Sequence, residues 1–288
     1  MIESFEAFRR TGIGGSDAAA ILGISPWKTP FDVYMEKTGE ALPVTLSEPM
    51  RWGSLLEGVI ASEYARRTDR MVVVPSGPVR HPEHSWMIGH IDRTILGDPD
   101  RILEIKCAGT SRGWGEPGTD EVPQHYLCQV AHYLALTDAA ICDIAVLIAG
   151  NDFRLYHIER DLQIEAELLD QEAAFWRLVE DHIPPAPSNT QDAVRRWGRL
   201  SRPGEVVANE AAMLAVDTLR QTRETRKSLE EAEDQARTTV MEQLGESGST
   251  LVSLSGEILA TWALDRGKKA YTASYKARPP ERRFVLKG

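Results

Sequence analysis

The chain has 288 residues and a mass of 32.0 kDa, enough for one large domain or for one domain with an appendage. Its composition, with 42% hydrophobic and 26% charged residues, excludes a disordered chain, a collagen-like chain and a disulfide scaffold. The net charge of −10 argues at first sight against a nucleic-acid partner, because phosphate binding needs clustered lysine and arginine.

That charge is unevenly distributed along the chain. Residues 152–182 hold nine acids against three arginines, whereas residues 266–288 hold eight basic residues against Glu281 alone. Because phosphate binding depends on local charge, a basic tail on an acidic body can still meet DNA. The total charge therefore leaves a DNA partner open.

The sequence carries no signal for export or membrane insertion. No apolar run approaches the roughly 20 residues that span a bilayer, and the amino terminus lacks the apolar segment of a secretory signal. The three cysteines, at 107, 128 and 142, lie far apart without a C-x-x-C pair, which argues against a disulfide framework, a zinc site or an iron–sulfur cluster. We expect a cytoplasmic protein with no membrane partner and three buried thiols.

The first predicted elements are short helices separated by strong breaks. Ser16 is predicted to cap a first helix, and Thr29-Pro30 to open a second one that ends at Gly39. A third helix is predicted at 48–68. A strand-rich stretch follows, in which a turn at 97–100 joins two strands as a hairpin. The elements predicted there are strands at 71–74, 87–96 and 102–107, a helix at 123–136, and strands at 141–149 and 153–158.

The carboxyl-terminal part differs in composition. An acidic helix at 162–182 ends at a proline-rich break, and residues 206–244 are typical of one long helix or a helical hairpin. Short strands around Gly256 and Trp262 and a basic tail at 268–287 follow. We predict an α/β (α+β) core at 1–190 and a helical and β appendage at 191–288.

The segment 102–107 is the most informative for chemistry. Period-2 alternation places Glu104 and Lys106 on one face of a strand, and the turn at 97–100 folds Asp92 back toward Glu104. Two carboxylates suit Mg²⁺ or Mn²⁺, and a neighbouring lysine can orient an attacking water or neutralise charge on a phosphate. The pattern is compatible with a metal site that acts on phosphates, although a bare E-x-K is more often a Glu–Lys pair on a surface hairpin.

Three further side chains are candidates for the same site. Glu57 ends an apolar, small-residue stretch of the third helix, where an acid favours a metal or a cation as its partner; taken alone, a solvated or salt-bridged glutamate is the commoner alternative. Gln129 and Tyr133 are spaced i, i+4 on the helix after the hairpin and can face the site together. An amide donor in that place can hold a phosphate or the water nucleophile.

The run from Arg9 to Asp17 is a candidate phosphate cradle. It joins Arg9 and Arg10, a glycine turn, and a helix start with free N–H groups around Ser16. No G-K-[ST] follows, so it is not a Walker loop. The alternative is a plain turn capped by Ser16.

Taken in order, these residues resemble the YqaJ-type viral recombinases, relatives of the phage lambda exonuclease in the PD-(D/E)XK nuclease superfamily. The resemblance covers residues 8–160 and weakens beyond residue 165. It implies a restriction-endonuclease-like core with a central mixed sheet flanked by helices. Its landmarks are Ile13-Gly14-Gly15-Ser16-Asp17-Ala18-Ala19, Trp27-Lys28-Thr29-Pro30, Trp52-Gly53 with Glu57, Gly89-His90-Ile91-Asp92, Glu104-Ile105-Lys106, and Gln129 with Tyr133.

The resemblance implies a role for each residue of the predicted centre. Asp92 and Glu104 bind the metal, Glu57 supports the metal or the water, and Lys106 assists the water. Gln129 lies in the family's Q-x-x-x-Y element and is counted with the catalytic residues.

The resemblance implies phosphate contacts as well. Ser16 and either Arg9 or Arg10 contact a DNA phosphate or its 5′ end, and which arginine does so stays open. Tyr133 is predicted to belong to the same DNA-binding group.

The function that the family resemblance predicts is digestion of one strand of linear double-stranded DNA from the 5′ end, without ATP, to give single strands for phage-type homologous recombination. Lambda-like members often form ring-shaped trimers and pass the strand to an annealing partner. Expected partners are therefore DNA ends, a single-strand annealing protein and further copies of this chain. A related branch carries a four-cysteine iron–sulfur cluster, which three scattered cysteines disfavour.

Other functions share parts of this pattern. A structure-specific or restriction-like endonuclease uses the same chemistry but also cuts a closed circle. A non-cutting DNA-binding recombination protein is disfavoured by the intact acid–acid–lysine set, and an acidic interaction protein that self-associates through 206–244 leaves residues 8–133 unexplained. Trp27, Trp86 and Trp114 can stack on bases or wedge a duplex, with a packed aromatic as the alternative for each.

Overall fold

The computed structural model describes residues 2–41, 45–198, 204–246 and 248–262. The chain divides into two compact units, Met1–Ala193 and Val194–Gly288. The helices in the described ranges are α1 (Ile2–Arg10), α2 (Gly15–Ile21), α3 (Pro30–Lys37), α4 (Glu48–Thr68), α5 (Gln124–Thr137), α6 (Leu162–Glu180), α7 (Thr190–Trp197) and α8 (Glu210–Leu244). The strands are β1 (Val72–Val73), β2 (Val79–Arg80), β3 (Ile88–Gly89), β4 (Arg93–Ile95), β5 (Asp98–Ala108), β6 (Ile141–Ile148), β7 (Asp152–Glu159), β8 (Thr250–Val252) and β9 (Ile258–Thr261).

A five-stranded mixed sheet forms the centre of the first unit. Its strand order is β1-β4-β5-β6-β7. β5 and β6 run parallel, with Glu104 opposite Ile144, and the other neighbours are antiparallel. A parallel pair needs a crossover connection, and α5 supplies it. The sheet and its flanking helices confirm the predicted α/β (α+β) class.

Helix α4 covers one face of this sheet. Its Ile60, Ala61 and Tyr64 pack in one buried cluster with Leu103 and Ile105 of β5. Burial of each large apolar side chain contributes roughly 1.5–3 kcal/mol, so this cluster holds Leu103 and Ile105 of β5 under α4.

Helix α5 covers the opposite face. Val130 and Leu134 share a buried cluster with Ile102, Ile144 and Val146, while α2 and α6 pack against α5. Because side chains alternate along β5, its even-numbered residues point toward α5. Positions 104 and 106 belong to this even-numbered face, so their side chains also point toward α5.

Two of the predicted elements differ from the structure. The strand predicted at 87–96 is interrupted, since β3 ends at Gly89 and β4 begins at Arg93. The prediction that Ser16 caps α2 is wrong: Gly14 is the capping residue, and its N–H donates to Asp17 Oδ2 at 3.1 Å. The charged carboxylate at the third helical position satisfies the free N–H, which leaves the Ser16 side chain exposed.

The predicted buried state of the cysteines is wrong for Cys107. It is exposed, whereas Cys128 is half-buried and Cys142 is buried. The apolar cluster under α4 includes Ile105 but does not extend to Cys107.

The second unit contains α8, a single 35-residue helix rather than a helical hairpin, and the antiparallel pair β8–β9. The predicted basic tail at 268–287 lies outside the described residues. Within the described part of the chain, no helix is both long and apolar enough to cross a membrane.

Candidate active site

Four side chains form one hydrogen-bonded network between β5 and α5. Lys106 Nζ donates to Glu104 Oε1 at 2.5 Å and to Gln129 Oε1 at 2.9 Å. Gln129 Nε2 donates to the same Glu104 oxygen at 2.8 Å and to Tyr133 Oη at 3.3 Å. The structure thus brings together Glu104 and Lys106 on β5 and the i, i+4 pair on α5 that the sequence spacing predicted.

Asp92 lies in the break between β3 and β4 and reaches back to β5. Its Oδ2 accepts a hydrogen bond from Ile105 N at 2.8 Å. The pairing of β4 with β5 ends where Arg93 lies opposite Leu103. The N–H of Ile105 therefore has no partner on β4, and the Asp92 carboxylate accepts its hydrogen bond instead. Asp92 and Glu104 are therefore placed at the same end of the hairpin, as predicted.

The burial and the charge of these two carboxylates are not fully compensated by neighbouring groups. Glu104 is only 3% exposed, and its Oε2 is buried without a hydrogen-bond partner among the described residues. Burial, and next the charge of Glu104, raise the pKa of Asp92 to about 7. A buried polar atom without a partner costs about 1–3 kcal/mol or more, and repulsion between two carboxylates adds to that cost. A divalent cation held between them relieves both, so this donor set fits Mg²⁺ or Mn²⁺.

Glu57 is held by an arginine rather than by the carboxylate pair. Arg93 Nη1 donates to Glu57 Oε1 at 2.6 Å and to Asp92 O at 2.5 Å. In the ranges that the structure describes, no three His, Cys, Asp or Glu side chains form a group that could hold a metal ion. The charge of Glu57 still contributes to the raised pKa of Asp92, which places it near the pair. Its role as a metal ligand stays a prediction, and Arg93 is a residue that sequence reasoning missed.

Lys106 is a half-buried cation in this network. Burial opposes its charge, but the Glu104 carboxylate outweighs burial and raises the pKa of Lys106 above its ordinary value. Its Nζ also lies 4.8 Å from the centre of the Tyr126 ring, within the range of a cation–π contact. Lys106 is therefore protonated and can act as a donor and a positive charge, not as a base.

A second charged cluster lies at the start of α2 around the fully buried Asp17. Lys37 Nζ donates to Asp17 Oδ2 at 2.6 Å, Arg9 Nη2 donates to Oδ1 at 3.4 Å, and Lys28 Nζ lies 4.0 Å away. Although burial raises it, these three cations lower the pKa of Asp17 to about 2. This ion-pair cluster joins α1, α2 and α3, and the only local signal for it was one acid in an alanine-rich helix.

A cavity of about 80 Å³ lies next to this cluster. Arg9, Ser16, His90 and Tyr133 are among the residues that line it. Arg10 does not line it. Of the two candidate arginines, the structure thus places Arg9 beside the exposed Ser16.

The Tyr133 ring connects the cavity to the carboxylate site. Its hydroxyl meets Gln129, and its ring lines the cavity. A Cβ atom added at Gly15 would lie 2.6 Å from Tyr133 Cε1, and one at Gly89 would lie 3.0 Å from the same atom. Glycine at both positions therefore allows the ring to sit between the two sites.

Comparison with known proteins agrees with this arrangement. Residues 4–140 match the family described as the YqaJ-like viral recombinase domain. The YqaJ protein of Bacillus subtilis is 40% identical over 174 residues, which cover 58% of this chain and 53% of that protein. The chain thus spans about half the length of this relative.

Two solved structures of an alkaline exonuclease from Laribacter hongkongensis, one of them in complex with dAMP, share the fold. Their TM-scores are 0.53 and 0.51, with 20% identity in each case over 63% of this chain and 94% of the other. This likeness concerns the fold alone, and it agrees with the predicted core of a mixed sheet flanked by helices. The family match covers residues 4–140, and all the residues of the candidate site lie in that range.

Proposed function

We propose that this chain is a metal-dependent DNA exonuclease that digests one strand of linear duplex DNA from its 5′ end without ATP. The observation that carries the proposal is the pair formed by half-buried Asp92 and buried Glu104 beside Lys106, with Glu104 Oε2 left without a partner among the described residues. The family match and the fold shared with an alkaline exonuclease support it. The product is single-stranded DNA for phage-type homologous recombination.

Asp92 and Glu104 are the proposed ligands of Mg²⁺ or Mn²⁺, and Glu57, held by Arg93, is the supporting acid. When bound, the cation supplies charge neutralisation at the scissile phosphate and lowers the pKa of the attacking water.

Lys106 and Gln129 are proposed to act on the reacting phosphate and water. The protonated Lys106 donates to the water nucleophile or to the oxygen on which negative charge develops. Gln129 positions both neighbours, because its amide oxygen accepts from Lys106 and its amide nitrogen donates to Glu104. The two residues on β5 are thereby held in one relative orientation before substrate arrives.

Arg9, Ser16 and Tyr133 are the proposed contacts of the terminal 5′-phosphate. The cavity is lined by an arginine and by the exposed Ser16, and guanidinium and hydroxyl groups are ordinary phosphate ligands. Because Tyr133 also touches Gln129, a phosphate bound there lies next to the carboxylate site. Arg10 does not line this cavity and is not part of the proposed contact set.

The proposed partners are ends of double-stranded DNA, a single-strand annealing protein that receives the product, and further copies of this chain in a ring-shaped trimer. The proposed location is the cytoplasm, that of the host if the chain is phage-encoded.

The test is digestion of linear duplex DNA labelled at either end, with and without Mg²⁺, beside a closed circular duplex. Lys106→Ala is compared with wild type, and Lys227→Ala on the exposed surface of α8 is the matched control. If the proposal is right, wild type digests the 5′-ended strand only when Mg²⁺ is present and leaves the circle intact. Lys106→Ala should abolish this digestion, and Lys227→Ala should digest like wild type. Cutting of the circle would indicate a structure-specific or restriction-like endonuclease, and binding without cutting would indicate a non-catalytic DNA-binding recombination protein.

A further inference from the structure

Trp27 differs from the other two tryptophans that are candidates for base contacts. Its side chain is 69% exposed, whereas Trp114 is 8% exposed in the core and Trp86 packs half-buried against it. Trp27 lies in the loop between α2 and α3. There Ser25 Oγ accepts hydrogen bonds from Trp27 N at 3.2 Å and from Lys28 N at 3.3 Å. The indole is therefore presented to solvent from a hydrogen-bonded turn.

A run of aromatic rings connects this indole to the proposed active site. The Trp27 and His125 ring centres are 4.7 Å apart in an edge-to-face contact, and those of His125 and Tyr126 are 4.1 Å apart. Lys106 Nζ lies 4.8 Å from the centre of the Tyr126 ring. The edge-to-face contact between Trp27 and His125 is favourable, and the tilted ring of His125 continues the contact to Tyr126, so the rings form one run from the solvent inward to the lysine.

His125 contributes a polar atom that the protein leaves unused. Its Nε2 is buried and has no hydrogen-bond partner in the described part of the chain. Burial, and next the positive charge of Lys106, lower the pKa of His125, so the ring is neutral at neutral pH. A buried nitrogen without a partner is costly, which points to a group from a ligand as its missing partner.

We propose that Trp27, His125 and Tyr126 form a subsite for one unstacked nucleobase of the strand being cut. The face of the base stacks on the Trp27 indole, and its polar edge meets His125 Nε2. Every base has a π face, so this subsite accepts any sequence and holds the strand by stacking. The inference rests on the proposed nuclease function and adds to it a contact to a base beside the reacting phosphate.

The first experiment combines protein and substrate changes. Linear duplexes carry a single abasic site at each of the first few positions of the 5′-ended strand. They are digested by wild type, Trp27→Ala, Trp27→Phe and, as a matched control, a variant with alanine in place of the exposed Trp197.

Wild type is expected to lose on the order of tenfold in kcat/KM at one abasic position, since stacking of a base contributes that much or more. On intact DNA, Trp27→Ala is expected to lose about the same factor in kcat/KM relative to wild type. An abasic site at that position should cause no further loss in this variant. Trp27→Phe should retain most of the rate, and Trp197→Ala all of it. Equal rates for Trp27→Ala and wild type, or fully additive losses at every position, would overturn the subsite.

The second experiment separates binding from cutting. Quenching of tryptophan fluorescence by a short single-stranded thymidine oligonucleotide is measured in EDTA, and Trp27→Phe is expected to lose most of the quench. Quenching that depends on Trp27 in a protein that digests no DNA would retain the subsite and reject the nuclease. Normal DNA digestion together with quenching that Trp27→Phe leaves unchanged would retain the nuclease and reject the subsite.

His125→Phe tests the polar contact within the subsite. The variant keeps an aromatic ring next to Trp27 but lacks the nitrogen. Oligonucleotide affinity is expected to fall severalfold, and by less than in Trp27→Ala. Unchanged affinity would overturn the contact between His125 and the base edge.

Discussion

The pKa values of two aspartates of this protein, fully buried Asp17 and half-buried Asp92, are shifted in opposite directions. Although burial raises it, the charges of Lys37, Arg9 and Lys28 lower the pKa of Asp17 to about 2. Burial, and next the charge of Glu104, raise the pKa of Asp92 to about 7. Burial disfavours the charge in both places, so the neighbouring charges decide the direction.

This difference separates a structural carboxylate from a functional one. The charge of Asp17 is complemented by side chains of α1 and α3, so it stabilises the folded chain without a ligand. Asp92 and Glu104 face each other with one buried oxygen unpartnered, which is an arrangement that a ligand completes. Tyr133 lies between the two regions, and the predictions below test each side of the comparison.

The largest expected effect is on stability in Asp17→Asn. The substitution leaves Lys37, whose side chain is 1% exposed, without a buried counter-charge. The free energy of unfolding should fall by about 3–5 kcal/mol. Urea unfolding measures this as a shift in midpoint at constant slope. A double variant with Lys37→Met should recover part of the loss, and a loss under about 1 kcal/mol would mean that the pair behaves like a surface ion pair.

Asp92→Asn should reduce activity strongly without reducing stability. The rate of DNA digestion is expected to fall by about a hundredfold or more, or about 2.7 kcal/mol of barrier, because a proposed metal ligand is lost. Stability in EDTA should stay equal or rise, since repulsion with Glu104 is removed. Mg²⁺ should raise the melting temperature of wild type but not of the variant. A loss of stability in EDTA like that of Asp17→Asn would contradict the comparison.

The acid dependence of stability should report on Asp17. Its pKa in the folded chain is about 2, below the ordinary value of 3.8, so its contribution is present above the ordinary value and is lost as the pH falls toward 2. The contribution lost is about 2 kcal/mol. The stability difference between wild type and Asp17→Asn should stay constant above about pH 4 and shrink by about that amount as the pH falls through 2. A stability difference that stays constant down to pH 2 would show that the charge of Asp17 is not its source.

A smaller effect is expected where the two regions meet. Gly15→Ala places a Cβ atom 2.6 Å from Tyr133 Cε1 and should destabilise the chain by about 1–2 kcal/mol while slowing digestion. Gly58→Ala is the matched control, because a Cβ atom on that exposed face of α4 meets nothing within 4 Å. The control should be neutral or stabilising by up to about 1 kcal/mol. Equal effects of the two substitutions would indicate that the Tyr133 ring is free to move.

Much of the proposed site followed from local patterns. Alternation placed Glu104 and Lys106 on one face, and the i, i+4 spacing placed Gln129 and Tyr133 together. Both patterns depend on backbone periodicity, which near neighbours determine. The return of Asp92 toward β5 was predicted from a turn, but its bond to Ile105 N required the interruption between β3 and β4.

The sequence by itself therefore determined the mixed α/β class, the order of the elements and the residues that share a face, because these depend on periodicity and turn chemistry over a few residues. Only the tertiary structure decided that Arg9 rather than Arg10 lines the cavity, that Glu57 binds Arg93, and that Trp27 is exposed where Trp114 is buried. The physical reason is that burial and ion pairing depend on which distant elements pack together. A tryptophan or an arginine carries the same local pattern in either environment.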